Sequence, residues 1–451
     1  MRLCVLSLCV LMAGCQLNNT RMTSAEEGMP ELPQQWQQHT AGSTVSTQWW
    51  QNFGSQELSG LVDLATRQSF DIRSAIARIR QAEAAVTIAG AELWPNVSGQ
   101  LNASQRGNLN HSEDNRSFGT GLSASYEVDL WGGLEAEQRA AMANLEYSRF
   151  DRDAIALSLA ANVARQWLQW VGNQERLQIA NNNLDIAEHL LDIIRFQHEV
   201  GKSSELDVVR QQREVAGQKR VIASLEQEIQ QSRVALNILL GETQNVALTT
   251  DNLSDLTVPE VGAGVPSDLL FRRPDIAQAE ASLQAAEADI DVARAAMLPR
   301  VTLSADLGAG GDSADNILRD PVYGLLSGLT APIFNHGALA ARLDSAQAAR
   351  ESLLAQYYKA IVAAVGDTQD ALFAIHGVDE QLQAQQIQLQ LAREAYDLSE
   401  MRYIEGADSL TTLLQSQRDL FNAEDANVSL RLLSLQTRVD LYRALGGGWQ
   451  S

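Results

Sequence analysis

Cysteine is nearly absent. The 451 residues hold three, Cys4, Cys9 and Cys15, all within the first fifteen. Beyond residue 15 the chain can form no internal disulfide and no thiolate metal or redox site. Proline is missing from residue 96 to residue 258, and between Leu134 and Val200 the only glycine is Gly172, so nothing along that span interrupts a helix. Positive charge is in deficit: Lys and Arg number 34 against 56 Asp and Glu, a formal net charge of −22. That balance argues against a nucleic-acid partner. No apolar run after residue 15 reaches the length of a membrane-spanning helix, so none is expected. Hydrophobic residues make up 45% and charged residues 20%, which excludes compositional disorder, and the length allows two or three ordinary domains.

Catalytic signals are missing too. The histidines at 39, 111, 189, 198, 336 and 376 are scattered, and none reads as a metal-ligand pair with an acidic residue one helical turn away. There is no phosphate-binding loop of the Walker type. Gly308-Ala309-Gly310-Gly311 falls between two strand patterns rather than before a helix, so it is not a phosphate cradle. No catalytic site, metal or cofactor is expected, and the many carboxylates read as solvated helix faces.

What is present is a repeat. Residues 70–99 and 274–303 align without a gap at an offset of 204 and share eleven identities. Among them are Asp71/Asp275, Ile72/Ile276, Ala82-Glu83-Ala84/Ala286-Glu287-Ala288 and Pro95/Pro299. A period this long means two copies of one structural unit, and missing it would mis-assign the fold. Each copy opens with an Ala-rich amphipathic helix that a proline stops. The expected helices run from about Gln56 to Gln68, from Asp71 to Leu93 and over 275–298.

Alternation of period two follows each helix. Strands are expected at about 96–104 and 118–130 in the first repeat, with a polar loop between, and at about 301–309 and 322–333 in the second. Each is near the roughly 9–11 residues that a tilted membrane strand needs. The long uninterrupted stretches then predict helical hairpins over 134–240 and 338–445, turning at Val200 to Ser203 and Glu405 to Asp408. A helix of about 65 residues would be roughly 100 Å long, against a globular mean of about 11–12 residues. Ile361, Val365, Thr368, Leu372, Ile375, Val378 and Leu382 are spaced as a coiled-coil seam.

The expected organisation is therefore a signal peptide over 1–14, an extended tether over 15–48, repeat one over 49–241, a connector over 242–265, repeat two over 266–446 and a tail over 447–451. Met12-Ala13-Gly14-Cys15 resembles a bacterial lipobox, which makes Cys15 an expected lipidation site carrying a palmitate-type chain and anchoring the chain to outer membrane lipid. Trp49 and Trp50 suit a core or a membrane interface equally.

Four membrane-type strands cannot close a cylinder, and open sheet edges are not viable in lipid. Several copies must pool their strands, and three would supply twelve.

The PSDLLFRRPDI stretch, the MLPRVTLSADLG exit from the helix, the WWQNF start and the paired turns resemble the outer membrane factor family of TolC-like channels, in its lipoprotein branch. The resemblance implies a mixed α/β membrane protein. It would be a homotrimeric twelve-stranded β-barrel continued by a long α-helical barrel in the periplasm, a passive efflux conduit of the kind that underlies multidrug resistance. An RND-type inner-membrane transporter and a periplasmic adaptor (membrane fusion protein) would be its partners. In the family the last hairpin narrows the tunnel mouth. Here Thr411 and Gln415 take the positions of an apolar and an acidic residue, with Asp408 as the other periplasmic gate candidate. Gly201, Lys202, Ser204, Asp207 and Gly406 are the expected adaptor-docking tip residues. A type I protein secretion channel shares this fold, and a periplasmic coiled-coil structural lipoprotein is the reading from a different class.

Overall fold

The computed structural model describes residues 28–38, 46–108, 111–447 and 449. Cys15, the expected signal segment and much of the expected tether lie outside them. The chain divides into two units, Met1–Glu31 and Leu32–Ser451, and all the described helices and strands belong to the second. Part of the expected tether belongs to that unit too. Trp36 is buried there and donates its indole N–H to Ala263 O at 3.3 Å.

A short 3-10 turn, Trp49–Phe53, leads into α1 (Gln56–Gln68) and α2 (Phe70–Ala91). Ser55 caps α1 by accepting from the Leu58 N–H, and Ser69 caps α2 from Asp71 and Ile72, each satisfying donors that the first helical turn leaves unpaired. The strands β1 (Asn96–Asn108) and β2 (His111–Val128) follow, then α3 (Gly133–Glu199) and its return helix α4 (Glu205–Leu240). The second copy repeats the order: α5 (Pro274–Ala295), β3 (Arg300–Gly311), β4 (Val322–Thr330), α6 (Ala338–Ile404) and α7 (Leu410–Ala444). The repeat holds at the element level. α2 and α5 both have 22 residues and start and stop 204 residues apart, and α3 and α6 both have 67. At 1.5 Å per residue each long helix is about 100 Å.

The sheet order is β1-β2-β3-β4, all antiparallel. Register sets its two faces. Val97 faces Ala124, Leu122 faces Leu307, Tyr126 faces Leu303, and Ala305 faces Leu325. Directly opposed residues share a face, so these line up as one apolar surface; Leu101, Tyr323, Leu325 and Leu329 on it are all exposed in the single chain. The other face carries Ser98 against Ser123, Glu127 against Thr302 and Ser125 against Ser304. β1 and β4 each keep one unpaired edge.

Several boundaries differ from the sequence expectation. The polar loop expected between the first two strands is mostly strand, because β1 runs to Asn108 and β2 begins at His111, with Gln105 opposite Arg116 and Arg106 opposite Asn115. The backbone ladder needs no apolar side chains, and apolar alternation marks only the stretch that must meet lipid. β2 stops at Val128, and β4 stops at Thr330 just short of Pro332, which has no N–H for a ladder. α2 ends at Ala91 and α5 at Ala295, each a turn before its proline, because the residue preceding proline is pushed out of helical geometry. The connector holds a 3-10 turn, Leu253–Asp255.

The main core lies at the level of the connector, where α1, α3, α4, α6 and α7 meet. Trp49 is completely buried and stacks on Tyr442, centroids 5.0 Å apart, which assigns it to the core. Ile361, Thr368, Leu372, Ile375 and Val378 of the expected seam are buried on α6. The lone glycine of α3, Gly172, sits where a β-carbon would come within 3.0 Å of Leu432 Cδ2. It lets α3 and α7 approach closely.

Candidate functional site

Two kinds of feature can serve the function: the two faces of the sheet, and the ends of the helical hairpins. α3 closes in a Schellman motif: Gly201 N–H donates to His198 O at 2.9 Å and Lys202 N–H to Gln197 O at 2.7 Å, with Gly201 left-handed at φ 74°. α6 closes the same way, Gly406 donating to Tyr403 O at 3.0 Å and Ala407 to Arg402 O at 2.8 Å. The two ends are neighbours, because the Tyr403 hydroxyl donates to Gln197 Oε1 at 2.8 Å. Burial, with Asp207 nearby, pushes the Tyr403 phenol up, so it stays a donor.

Of the tip residues expected to dock an adaptor, Gly201, Lys202 and Gly406 are exposed. Ser204 and Asp207 are engaged locally. They form a reciprocal capping box: Ser204 Oγ accepts from the Asp207 N–H, and the Asp207 carboxylate accepts from the Ser204 N–H and hydroxyl. The Ser204 hydrogen bond is the main reason the Asp207 carboxyl is held below its usual range.

The second tip differs. Ser409 caps α7 by accepting from the Thr412 N–H, and no acidic residue stands in its first turn. Asp408 accepts from the Ser409 N–H at 2.8 Å and from Arg402 Nε at 3.3 Å. Chiefly the Ser409 N–H, with help from Arg402, lowers its pKa. Asp408 is thus held ionised, beside Arg402 in a solvent-exposed pair. Thr411 and Gln415 are exposed on one face of α7, one turn apart, and Gln415 Nε2 donates to Asp419 Oδ1 at 2.9 Å. The three border an open groove of about 990 Å³ whose other wall is Ile387, Leu391 and Ala395 of α6.

At the connector level lies a polar clamp that the sequence did not single out. Arg273, from the FRRPD stretch, donates to Asp275 at 2.7 Å, to Asp367 of α6 at 3.1 Å and to Ala444 O of α7 at 3.2 Å. Its partners hold its pKa up against burial. Glu57 accepts from Trp167 Nε1 at 2.7 Å and from the Thr249 N–H and hydroxyl, both at 2.6 Å. Halfway along the hairpins Arg176 joins Asp425 at 2.7 Å and Glu228 at 3.7 Å. The arginine in FRRPD was the available signal; the other partners are too far apart in sequence to be paired by eye.

One histidine corrects the sequence reading. His376 Nε2 lies 3.5 Å from Glu380 Oε1, one helical turn on, and both are exposed. It remains a pair. Among the described residues no group of three or more His, Cys, Asp or Glu could hold a metal, and no helix is long and apolar enough to cross a membrane.

Comparison with known proteins is consistent across sequence and structure. The profile of the family described as outer membrane efflux protein matches residues 61–242 and 265–447, the two repeats. The chain is 44% identical to the pyoverdine export outer membrane protein OpmQ of Pseudomonas aeruginosa, over 100% of this chain and 97% of that protein. It is 33% identical to the toluene efflux pump outer membrane protein TtgC of Pseudomonas putida, over 99% and 96%. It superposes on the crystal structure of the open state of the Neisseria gonorrhoeae MtrE outer membrane channel with a TM-score of 0.86 at 28% identity, covering 94% of this chain and 98% of that one.

Proposed function

Because the chain belongs to the outer membrane efflux protein family, and is thus a passive channel with a periplasmic helical domain rather than an enzyme, we propose that it is the outlet of a pyoverdine export system. Its fold is that of the trimeric channels, with four strands per chain pooled into a twelve-stranded barrel above the helical hairpins. Proteins of this kind work with a periplasmic adaptor and an inner-membrane pump.

The observation that carries the choice of cargo is the 44% identity to OpmQ over the whole chain, against 33% to the toluene channel. The hairpin end is compatible with it: Thr411 and Gln415, facing the pore, form neutral rings that repel an anionic cargo less than packed carboxylates would. Asp408, already paired with Arg402, adds little to that barrier. Gly201, Lys202 and Gly406 present the docking surface for the adaptor, while Ser204 and Asp207 hold its shape. Cys15 carries the lipid anchor, and the pump is of the RND type.

A deletion strain complemented with variants tests these assignments together. Loss of the gene is expected to raise periplasmic and lower extracellular pyoverdine, measured by mass spectrometry, with wild type restoring export. Cys15→Ala is expected to lose labelled palmitate, and Gln415→Asp to change single-channel conductance. Unchanged pyoverdine export together with lost toluene tolerance would move the cargo to the solvent class.

A further inference from the structure

The buried stripe of α7 near its turn is Leu410, Leu413, Leu414, Gln417, Leu420 and Phe421. Five are apolar, packed with Leu190 and Ile194 of α3 and Tyr396 of α6. Gln417 is 0% exposed, and neither Nε2 nor Oε1 has a hydrogen-bond partner. A buried amide without partners opposes the packing that buries it. Because the residue is already closed off within a single chain, no other subunit can reach it unless α7 first moves.

The surroundings show where it would move. Among the described residues, every side-chain hydrogen bond made by 410–422 stays on that segment or its own turn, within 408–422: Thr412 with Ser409 and Asp408, Gln415 to Asp419, and Ser416 to Leu413 O. Cross-helix polar ties begin abruptly at the next three residues. Gln385 Nε2 of α6 donates to Ala423 O at 2.9 Å, Arg393 of α6 pairs with Glu424 at 3.0 Å, and Arg176 of α3 pairs with Asp425 at 2.7 Å. Between this clamp and the exposed Arg402–Asp408 pair at the turn, only apolar contact holds α7 to its neighbours among the described residues, and apolar contact is non-directional, so a shift of 410–422 strains at most that one pair.

We propose that Gln417 is a built-in bias against the packing seen here: residues 423–425 are the fulcrum, 410–422 the moving arm, and the unpaired amide gains partners, from water or from displaced polar groups, only when the arm shifts. The arm bears Thr411 and Gln415, so its shift changes the mouth of the channel; that consequence rests on the channel reading, whereas the bias itself does not.

Hydrogen exchange by mass spectrometry on the full-length trimer in detergent tests it. Gln417→Leu and the volume-matched Gln417→Met are expected to slow exchange across 410–422 by about tenfold, with 205–217 unchanged. Gln415→Leu, on the exposed face, should leave exchange in the arm as it was. Unchanged or faster exchange in the arm of both Gln417 variants, with trimers intact, overturns the proposal. In lipid bilayers the same variants should switch less often between conductance levels. A wild-type trimer that conducts no ions would refute the channel reading, and the exchange result would still decide the role of Gln417.

Discussion

The two helical hairpins match in backbone and differ in what ties them. Each outgoing helix has 67 residues, and each turn is a Schellman motif. At the first tip Ser204 and Asp207 cap one another, and the buried Gln211 donates across to Ala187 O at 2.7 Å. At the second the cap has a hydroxyl in place of the carboxylate, and the buried Gln417 bonds to nothing. Apolar stripe and turn glycines suffice to build a hairpin, so both copies kept them. Polar ties decide how firmly its end is held, and there the copies have diverged. A conduit that must open and dock needs one steady end and one yielding end.

Both hairpins are anchored at their other ends, and the anchors can be broken unequally. α4 and α7 end at left-handed glycines, both at φ 71°. A β-carbon on Gly446 would meet Arg272 O at 1.9 Å, whereas one on Gly241 would stand 3.1 Å from Gln68 O. Gly446→Ala is therefore expected to cost on the order of 3 kcal/mol or more, and Gly241→Ala about 1–2 kcal/mol, mostly the left-handed penalty with a small shift of Gln68 O. Thermal melting of the two variants checks this; equal losses would mean that the second hairpin is not wedged against the FRRPD turn.

A smaller effect separates the tips themselves. Ser204→Ala should cost about 1 kcal/mol and Ser409→Ala less, since only the Ser204 hydroxyl also donates to a carboxylate. The folded pKa of Asp207 lies below its unfolded value, so its stabilisation is fully present above the ordinary carboxylate range and is lost as pH falls through the folded pKa. The deficit of Ser204→Ala relative to wild type should shrink at low pH for that reason. Melting curves of both variants between neutral and acid pH measure it, and a pH-independent gap would detach Asp207 from the cap.

Much of this was legible in the sequence because the signals are local or periodic. The 204-residue offset, the prolines that end α2 and α5 and the glycines that close α3 and α6 act on their immediate neighbours. The extension of β1 and β2 past residue 104 was not legible, since the paired stretch from Gln105 to Asn108 leaves no apolar pattern. Trp36 looked like part of a polar tether because its partner, Ala263 O, is 227 residues away. The gate and docking positions came from the resemblance to the channel family, placed by counting from the turn glycines. That Asp408 is paired with Arg402, and that Ser204 and Asp207 spend themselves on a cap, depends on side-chain geometry that spacing does not specify.

Sequence by itself determined the repeat, the helix lengths, the alternation of the strands and the deficit of strands that requires partners, because each follows from periodicity and from where proline and glycine fall. Only the tertiary structure decided which distant charges meet at Arg273 and Arg176, and that Gln417 ends up enclosed without a partner. Hydrogen bonds and ion pairs act over about 3 Å, and only the folded chain brings residues hundreds apart to that distance.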